Sequence, residues 1–240
     1  MRYGVQMYAI RTLCKEDLHA GLRAVADIGY DGVEFAGFFG HSADDVAAWL
    51  KETGLCAMGA HIPIEEICGD TDNMIAFHKA IGNHRIICPW SDIKTAADTR
   101  AVAKQLAEAL PKIKAAGMEL YYHNHNHEFA KDEDQYLIDI LAEELPELKL
   151  EFDVYWVYRG GEDPIKYLSL YEGRTGIFHA KDGTMEEGTL AGKGNVDLKA
   201  VFDYAKAHDF SWAVVESEAT EEKDEQIEAI RADFAYVTSL

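Results

Sequence analysis

The sequence predicts a (β/α)₈ TIM barrel of near-minimal length, and two observations carry this prediction. Eight short runs rich in Val, Ile, Tyr, Phe and Trp recur along the 240 residues, and segments with helical spacing lie between them. The loops are mostly short, and no linker or low-complexity stretch interrupts the alternation. We therefore expect one barrel domain spanning residues 1–240.

The eight predicted strands follow one another at regular spacing. In chain order they are residues 3–10, 31–37, 55–62, 84–90, 119–125, 148–156, 176–182 and 211–218. Their interiors are apolar, as expected for strands that are covered on both faces. This pattern favours a parallel sheet.

The segments between the strands have the apolar spacing of helices. Val102, Leu106, Leu110 and Ile113 recur at intervals of three and four residues. Glycines follow several of these segments where a helix would end, as in "ETGLC" and "AAGMEL". The alternative is a doubly wound open sheet, which is disfavoured because no Gly-rich phosphate loop follows the first strand.

Composition limits the function. The 43 acidic and 23 basic residues give a net charge of −20, which repels phosphate backbones, so we expect no nucleic-acid partner. The four cysteines are scattered without a C-x-x-C pair and are expected to be buried structural residues of a reducing compartment. No signal-like or membrane-spanning apolar segment is present, so the expected location is the cytoplasm, without a membrane partner.

Polar residues concentrate at the C-terminal ends of the predicted strands, where the active site of a barrel lies. Side chains alternate faces along a strand, so residues two apart, such as His123 and His125, point the same way. The strand-end residues are Gln6, Glu34, His61, His123, His125, Glu151, Asp153, His179, Lys181, Glu216 and Glu218. These groups are expected to face one cavity.

The fifth to eighth strands contribute imidazole, carboxylate, imidazole and carboxylate in turn. This mixed set suits one divalent metal ion, with Mn²⁺, Zn²⁺, Co²⁺, Fe²⁺ and Mg²⁺ all compatible. On the fifth strand the spacing allows His123, His125 or both to reach the metal. A lone strand-end histidine is more often a hydrogen-bonded structural residue, but four coincident members favour a metal site.

Several segments together resemble the sugar phosphate isomerase/epimerase family of xylose isomerase-like TIM barrels. The most specific are "YYHNHNHEF", "LEFDVYWVYRGGEDP" and "FHAKD", which occur in the order and at the spacing of that family. "YGVQMYAIR", "GYDGVEFAGFFG", "GAHIP", "AGKGNVDL" and "VVESE" extend the resemblance over essentially the whole chain. The resemblance implies a metal-dependent enzyme that acts on a sugar or keto-sugar.

The resemblance also implies a ligand set. In the superfamily a divalent metal is held by Glu, Asp, His and Glu from strands five to eight, which places Asp153, His179 and Glu216 as the last three ligands. Members often read "ENH" where this chain reads "HNH", so His123 takes the position of the first ligand. This departure removes one of the two glutamates that ketose 3-epimerases use as bases.

The expected chemistry is proton abstraction next to a carbonyl through a metal-stabilised enediolate. Glu216 would be both ligand and base. His125, Glu128 or His61 would supply the second base of an epimerisation, because an imidazole with an ordinary pKa near ~6.5 is suited to this task.

The remaining strand-end residues have two interpretations each. Lys181 would donate to a substrate oxygen, or would pair with Asp182 or another acid. Trp156 and its neighbour Tyr155 would form a wall against the sugar ring, or both would pack under the sixth loop. Gln6 and Glu34 would contact substrate hydroxyls, or would orient a ligand histidine; His61 would bond a hydroxyl or transfer a proton.

The function predicted from sequence is an isomerase or epimerase of a keto-sugar or related polyol. A lyase or hydratase on a keto-sugar or inosose shares the same enolate, and a non-catalytic sugar-binding barrel is the third alternative. The loop "GTLAGKGNVD" has glycines and a lysine that suit a phosphate, yet the acidic chain favours a neutral sugar. The stereochemical change and the oligomeric state, including a homo-oligomer, stay open.

Overall fold

A closed parallel barrel forms the centre of the molecule. The computed structural model describes residues 1–218, 220 and 222–240. Its barrel strands are β1 Arg2–Gln6, β2 Gly32–Phe35, β3 Cys56–His61, β4 Arg85–Cys88, β5 Glu119–His123, β6 Lys149–Asp153, β7 Ile177–Ala180 and β8 Trp212–Val215. They pair in the order β1-β8-β7-β6-β5-β4-β3-β2, which returns to β1. The predicted fold class is confirmed.

Helices alternate with the strands and surround the barrel. They are α1 Arg11–Glu16, α2 Leu18–Ile28, α3 Ala43–Thr53, α4 Ile64–Gly69, α5 Thr71–Ala80, α6 Ala96–Ala115, α7 Leu137–Glu144, α8 Val154–Arg159, α9 Pro164–Leu170, α10 Leu198–Ala207 and α11 Lys223–Ser239. Two short antiparallel hairpins lie in the loops after β5 and β7. The first pairs Lys131–Asp132 with Gln135–Tyr136, and the second pairs Asp182–Gly183 with Gly188–Thr189.

All eight strands end earlier than the sequence predicts, and at β1 and β6 the reason is a polar side chain that starts a helix. The Gln6 side chain accepts a hydrogen bond from the Tyr8 amide, which begins a 3₁₀ turn directly after β1. The Asp153 carboxylate accepts from the Trp156 amide and caps α8. The prediction that Trp156 belongs to a strand was therefore wrong.

The interior of the barrel consists of two layers. An apolar layer on the amino-terminal side contains Met58, Ile87, Tyr121, Ile177, Trp212 and Val214. Two residues further along the strands, on the same inward face, the side chains become polar: Tyr121 is followed by His123, Ile177 by His179 and Val214 by Glu216. The apolar layer thus forms the base on which the polar cluster stands.

The Trp212 indole fills the base layer because two strands have glycine beside it. A Cβ atom at Gly32 would lie 2.9 Å from Trp212 Cη2 and 2.6 Å from the Cys56 carbonyl oxygen. A Cβ atom at Gly4 would lie 3.5 Å from the same indole. Gln6 and Glu34 follow these glycines by two residues, so the space taken by the indole lies directly below them.

The cysteines divide into two pairs. Cys14 and Cys88 are buried as expected, whereas Cys56 is half-buried and Cys68 is exposed; all four are free thiols. The expectation of burial was therefore wrong for Cys68, which lies on the amphipathic helix α4 near the Gln105 carbonyl. Of the helices in the described part of the chain, none is long and apolar enough to cross a membrane.

The base layer gives a test of the packing. We expect Gly32→Ala to lower the free energy of unfolding by about 2 kcal/mol, because the new methyl group must displace the Trp212 indole or the β3 backbone. Chemical denaturation followed by circular dichroism measures this change. Gly176→Ala is the matched control, since no atom lies within 4 Å of its added Cβ. Equal losses for the two variants would contradict the packing account.

Candidate active site

A pocket of about 430 Å³ opens at the carboxyl end of the barrel strands, and its two ends differ in polarity. The floor is polar, with His61, His123, His125 and Glu216. The rim and walls are Tyr8, Ala36, Gly37, Pro63, Pro89, Trp90 and Glu218. A cleft of this size, with a few convergent polar groups, has the character of a small-molecule site.

His179 lies beneath this floor and has a carboxylate at each ring nitrogen. Nε2 lies 2.8 Å from Glu34 Oε1, and Nδ1 lies 2.9 Å from Glu216 Oε2. Burial alone would lower the pKa of His179, but the carboxylates of Glu151 and Glu34 raise that pKa well above its ordinary value. Each ring nitrogen therefore lies within hydrogen-bond distance of a carboxylate that can accept its proton.

Glu34 and Gln6 are committed to the protein itself. Glu34 Oε1 accepts from Gln6 Nε2 at 2.6 Å and lies 3.0 Å from His61 Nε2, in addition to His179. Gln6 Oε1 accepts from the Tyr8 amide. Both side chains are fully buried. Of the two interpretations that the sequence left open, the geometry matches the orientation of a ligand histidine and not contact with substrate.

Glu151 is the buried site residue to which sequence reasoning assigned no role. Its Oε2 lies 3.3 Å from His179 Nε2, 3.4 Å from His61 Nε2 and 3.4 Å from His123 Nδ1. Its Oε1 has no hydrogen-bond partner. The sequence does contain a signal that could have identified Glu151. It precedes Asp153 by two residues on the same strand, so both side chains point into the barrel.

Asp153 divides its two oxygens between structure and site. Oδ1 accepts from the Trp156 amide at 3.0 Å, while Oδ2 is buried without a hydrogen-bond partner and lies 3.8 Å from His179 Nδ1. Asn124 accepts from the Asp153 amide and fixes the end of β6 against β5. Burial raises the pKa of Asp153 to about 7. An oxygen this costly to bury without a partner is suited to a cation.

The side chains near the floor form two overlapping groups that can hold a metal ion. The first group is His123, Asp153, His179 and Glu216, and the second is His61, His123, Glu151 and His179. Each residue contributes one ligand atom, and within a group these atoms all lie within 4.8 Å of one another. Asp153 Oδ2 and His123 Nδ1 are buried and lack hydrogen-bond partners, since the 3.4 Å contact of His123 with Glu151 is outside hydrogen-bond geometry. The first group therefore fits a divalent cation with nitrogen and oxygen ligands.

Glu216 connects this group to the pocket. It directly follows β8, lines the floor and is 7% exposed. Burial would raise its pKa, but Lys181 and His179 lower the pKa below its ordinary value, so the group is a carboxylate. An ionised oxygen that reaches both His179 and the pocket can ligate a metal and accept a proton.

His125 and His61 are the imidazoles that line the pocket outside the first metal-competent group. His125 Nδ1 has no hydrogen-bond partner, and the ring lies beside His123 and Trp156 at centroid distances of 5.2 and 5.4 Å. Burial lowers the pKa of His125 to about 4, so its ring is neutral at pH 7. The carboxylate of Glu34, against the effect of burial, raises the pKa of His61 to about 9. The two rings therefore face the pocket in different protonation states.

Glu128 does not reach the pocket. It is fully buried, its Oε1 accepts from the Tyr122 hydroxyl at 2.9 Å, and its Oε2 accepts from the His125 amide at 2.8 Å. This geometry does not match the expected second base. The carboxylate instead holds the backbone of His125 in place, and it can do so because the short 3₁₀ turn His127–Phe129 directs it back toward β5.

Lys181 and Trp156 form a layer beside the floor. The Lys181 ammonium lies 3.2 Å from Glu218 Oε2, 3.7 Å from Glu216 Oε2 and 4.7 Å from the centroid of the Trp156 ring. Lys181 is 2% exposed, and within the described chain neither side chain belongs to the pocket lining. The ion-pair interpretation of Lys181 therefore matches the structure, with Glu218 and Glu216 as its acids. Trp156 packs against Lys181 and His125 and is absent from the pocket lining.

Comparison with known proteins gives a family and several structural neighbours. The model of the xylose isomerase-like TIM barrel family matches residues 22–239. The curated proteins include no match to this sequence.

Three solved structures illustrate the likeness. A sugar phosphate isomerase/epimerase from Parabacteroides distasonis is 23% identical, with a TM-score of 0.87 over 100% of this chain and 99% of that one. A probable 3-DHS dehydratase from Bacillus anthracis is 12% identical, with a TM-score of 0.78 over 99% of both chains. A 3-keto-D-glucoside 4-epimerase from E. coli is 17% identical, with a TM-score of 0.74 over 100% of both chains. At these identities the likeness shows the fold alone.

The geometry of Asp153 gives a test of metal binding. We expect Asp153→Asn to weaken Mn²⁺ binding by about 100-fold or more, because an amide nitrogen replaces the unpartnered oxygen while Oδ1 still caps α8. Titration calorimetry measures the affinity, and circular dichroism confirms that the variant folds.

Asp163→Asn is the matched control for this experiment. Asp163 caps α9 through the Ile165 amide in the same way, and it is absent from both metal-competent groups. Its Mn²⁺ affinity should equal that of the unchanged protein. Equal Mn²⁺ affinities for the two asparagine variants would sink the ligand assignment.

Proposed function

Because the chain belongs to the xylose isomerase-like TIM barrel family, we propose that residues 1–240 form one domain that isomerises or epimerises keto-sugars with one divalent metal ion. One observation carries the proposal: the donor atoms of His123, Asp153, His179 and Glu216 converge at the floor of a pocket that two further imidazoles also line. Convergent ligands beside a neutral imidazole, here His125, are the arrangement that enolate chemistry needs.

The metal has one task and the residues have the others. A bound Mn²⁺, Zn²⁺, Co²⁺, Fe²⁺ or Mg²⁺ ion polarises a carbonyl oxygen and stabilises the negative charge that develops next to it. His179 would offer Nδ1 to the ion, while Glu34 Oε1, 2.8 Å from Nε2, would accept the Nε2 proton and hold the orientation of the ring.

Two groups from opposite parts of the ring of strands exchange the proton on carbon. Glu216, from β8, is an ionised carboxylate on the pocket floor and accepts the proton from carbon next to the carbonyl. His125, after β5, is neutral and has an unpartnered nitrogen, so it supplies the second base. With Glu128 committed to the backbone, His125 is a better candidate for this role than Glu128.

Lys181 acts through its neighbours. Its ammonium is shared between Glu216 and Glu218 and packs on the Trp156 ring. This pairing keeps Glu216 ionised in a buried position, which would otherwise favour its protonated form. Lys181 is therefore a positioning residue for the carboxylate.

The loop after β7 supports an unphosphorylated substrate. The Asp182 carboxylate accepts hydrogen bonds from the amides of Gly183, Gly192, Gly194 and Val196 at 2.8 to 3.1 Å. These amides include the donors that a phosphate would use in this glycine-rich loop. This group of amides, the amide cradle, is thus already occupied by the carboxylate of Asp182. This supports a neutral keto-sugar.

Elimination or hydration begins with the same proton abstraction, so a lyase is the second candidate. The probable 3-DHS dehydratase from Bacillus anthracis, which has a similar fold, is compatible with this candidate. The product distinguishes the two, because only elimination loses a group from the sugar. The net charge of −20 argues against a nuclease.

The assignment of His125 predicts a separation of catalysis from metal binding. We expect His125→Asn to slow the formation of deuterated epimer from a keto-sugar in D₂O by about 100-fold, with Mn²⁺ affinity unchanged within threefold, because Glu216 can exchange the substrate proton on its own face but cannot return it to the other. Chromatography with mass spectrometry separates the epimers and measures their deuterium. His208→Asn, at the end of α10 and absent from the pocket lining, is the control. Unslowed epimer formation in His125→Asn would rule out His125 as the second base.

The filled cradle predicts a substrate preference. We expect kcat/KM for a free keto-sugar to exceed that for its phosphate ester by at least about tenfold, because the pocket carboxylates of Glu216 and Glu218 repel the phosphate and the Asp182 loop cannot bind it. Parallel kinetic measurements on matched pairs test this. A preference for the phosphate ester would overturn it.

A further inference from the structure

Two large aromatic side chains are exposed at the rim of the pocket. Tyr8 is 45% and Trp90 is 51% exposed, and both line the pocket. In the described part of the chain only four large apolar side chains are at least 45% exposed, and Tyr8 and Trp90 are two of them. Exposed apolar surface that borders a polar cleft marks a place where a ligand packs.

The backbones that carry the two rings are fixed. The Tyr8 amide donates to the Gln6 side chain, and the Arg11 guanidinium lies 4.6 Å from the centroid of the tyrosine ring. Trp90 precedes Ser91, whose carbonyl lies 3.1 Å from His127 Nε2. The rings are therefore presented to the pocket mouth by ordered chain and need little rearrangement to bind a ligand.

The polarity of the pocket separates two tasks. The floor offers imidazoles and a carboxylate, which suit the carbonyl and hydroxyl groups of a sugar. The rim around Tyr8 and Trp90 continues with Ala36, Gly37, Pro63 and Pro89, none of which has a polar side chain. A group above the sugar is thus recognised by its apolar face, and aromatic rings are well suited to this.

The charge of the pocket restricts that group further. Glu216 and Glu218 are acidic, and no lysine or arginine is among the described residues that line the pocket. At the rim, a phosphate or a carboxylate on the upper group would meet the carboxylate of Glu218 and no lysine or arginine of the lining. The upper group is therefore neutral.

We propose that Tyr8 and Trp90 form a subsite for the second ring of a neutral glycoside, so that the substrate is a keto-glycoside and not a free monosaccharide. The sugar that carries the carbonyl occupies the floor, and an aromatic or sugar ring linked to it packs between the two rim side chains. This inference rests on the proposed function, because the floor must be the reacting site for the rim to bind the part of the same molecule that does not react.

The test measures binding without turnover. Unreactive pairs of phenyl and methyl β-D-glucosides and β-D-galactosides are titrated into the Mn²⁺-supplemented protein, and cellobiose tests a sugar as the second ring. We expect the phenyl member of at least one pair to bind about tenfold more tightly than the methyl member. Trp90→Ala should reduce this ratio to below threefold, and Trp90→Phe should restore it.

Leu170→Ala is the matched control, because Leu170 is an exposed apolar residue at the end of α9 and absent from the pocket lining. It should keep the phenyl preference. Equal affinities within every pair, no binding of any glycoside, or a preference that persists in Trp90→Ala would each overturn the subsite.

Deuterium exchange separates this proposal from the proposed function. Exchange into free keto-sugars without any phenyl preference would leave the isomerase proposal standing and remove the subsite. A Trp90-dependent phenyl preference without exchange into any keto-sugar or keto-glycoside would leave the subsite standing and remove the isomerase proposal.

Discussion

The site depends on one imidazole held between two carboxylates. The His179 ring lies between Glu34, next to Nε2, and Glu216, next to Nδ1, and these three residues come from β7, β2 and the end of β8. Charges this deep are stable only when they are paired, so the position of each of these groups determines the positions of the others. The metal-competent group and the pocket floor are arranged around this line of three side chains.

The fold could be predicted from the sequence because three features indicated the same alternation of strands and helices: the composition of the strands, the apolar spacing of the helices, and the glycines that follow the helices. The site was accessible in part, because strand parity places Asp153, His179 and Glu216 on one inward face. The alternation of side chains along a strand does not, however, show how deep in the barrel each side chain lies. It could not show that Glu151 lies a layer below Asp153 or that Gln6 is wholly enclosed.

Other details depended on local capping, which competes with strand extension. Asp153 begins a helix, so Trp156 leaves the strand direction and packs against Lys181 beside the pocket floor. Glu128 looked like a base in sequence, yet its neighbours Tyr122 and the His125 amide consume both oxygens. Asp182 likewise takes the loop amides that a glycine-rich pattern suggests for phosphate. In each case the decisive partner is fixed by tertiary structure, which residue spacing alone does not determine.

The separation of the paired charges along the chain bears on how the barrel assembles. Glu34 and His179 lie 145 residues apart, and β1 completes the ring by pairing with β8. A growing chain that lacks β8 would have Glu34 facing an open sheet, where water and not His179 must stabilise its carboxylate. Burial of this carboxylate is therefore favourable only after the ring closes. The acidic interior disfavours compact half-barrels and couples the two halves of the molecule into one cooperative folding transition.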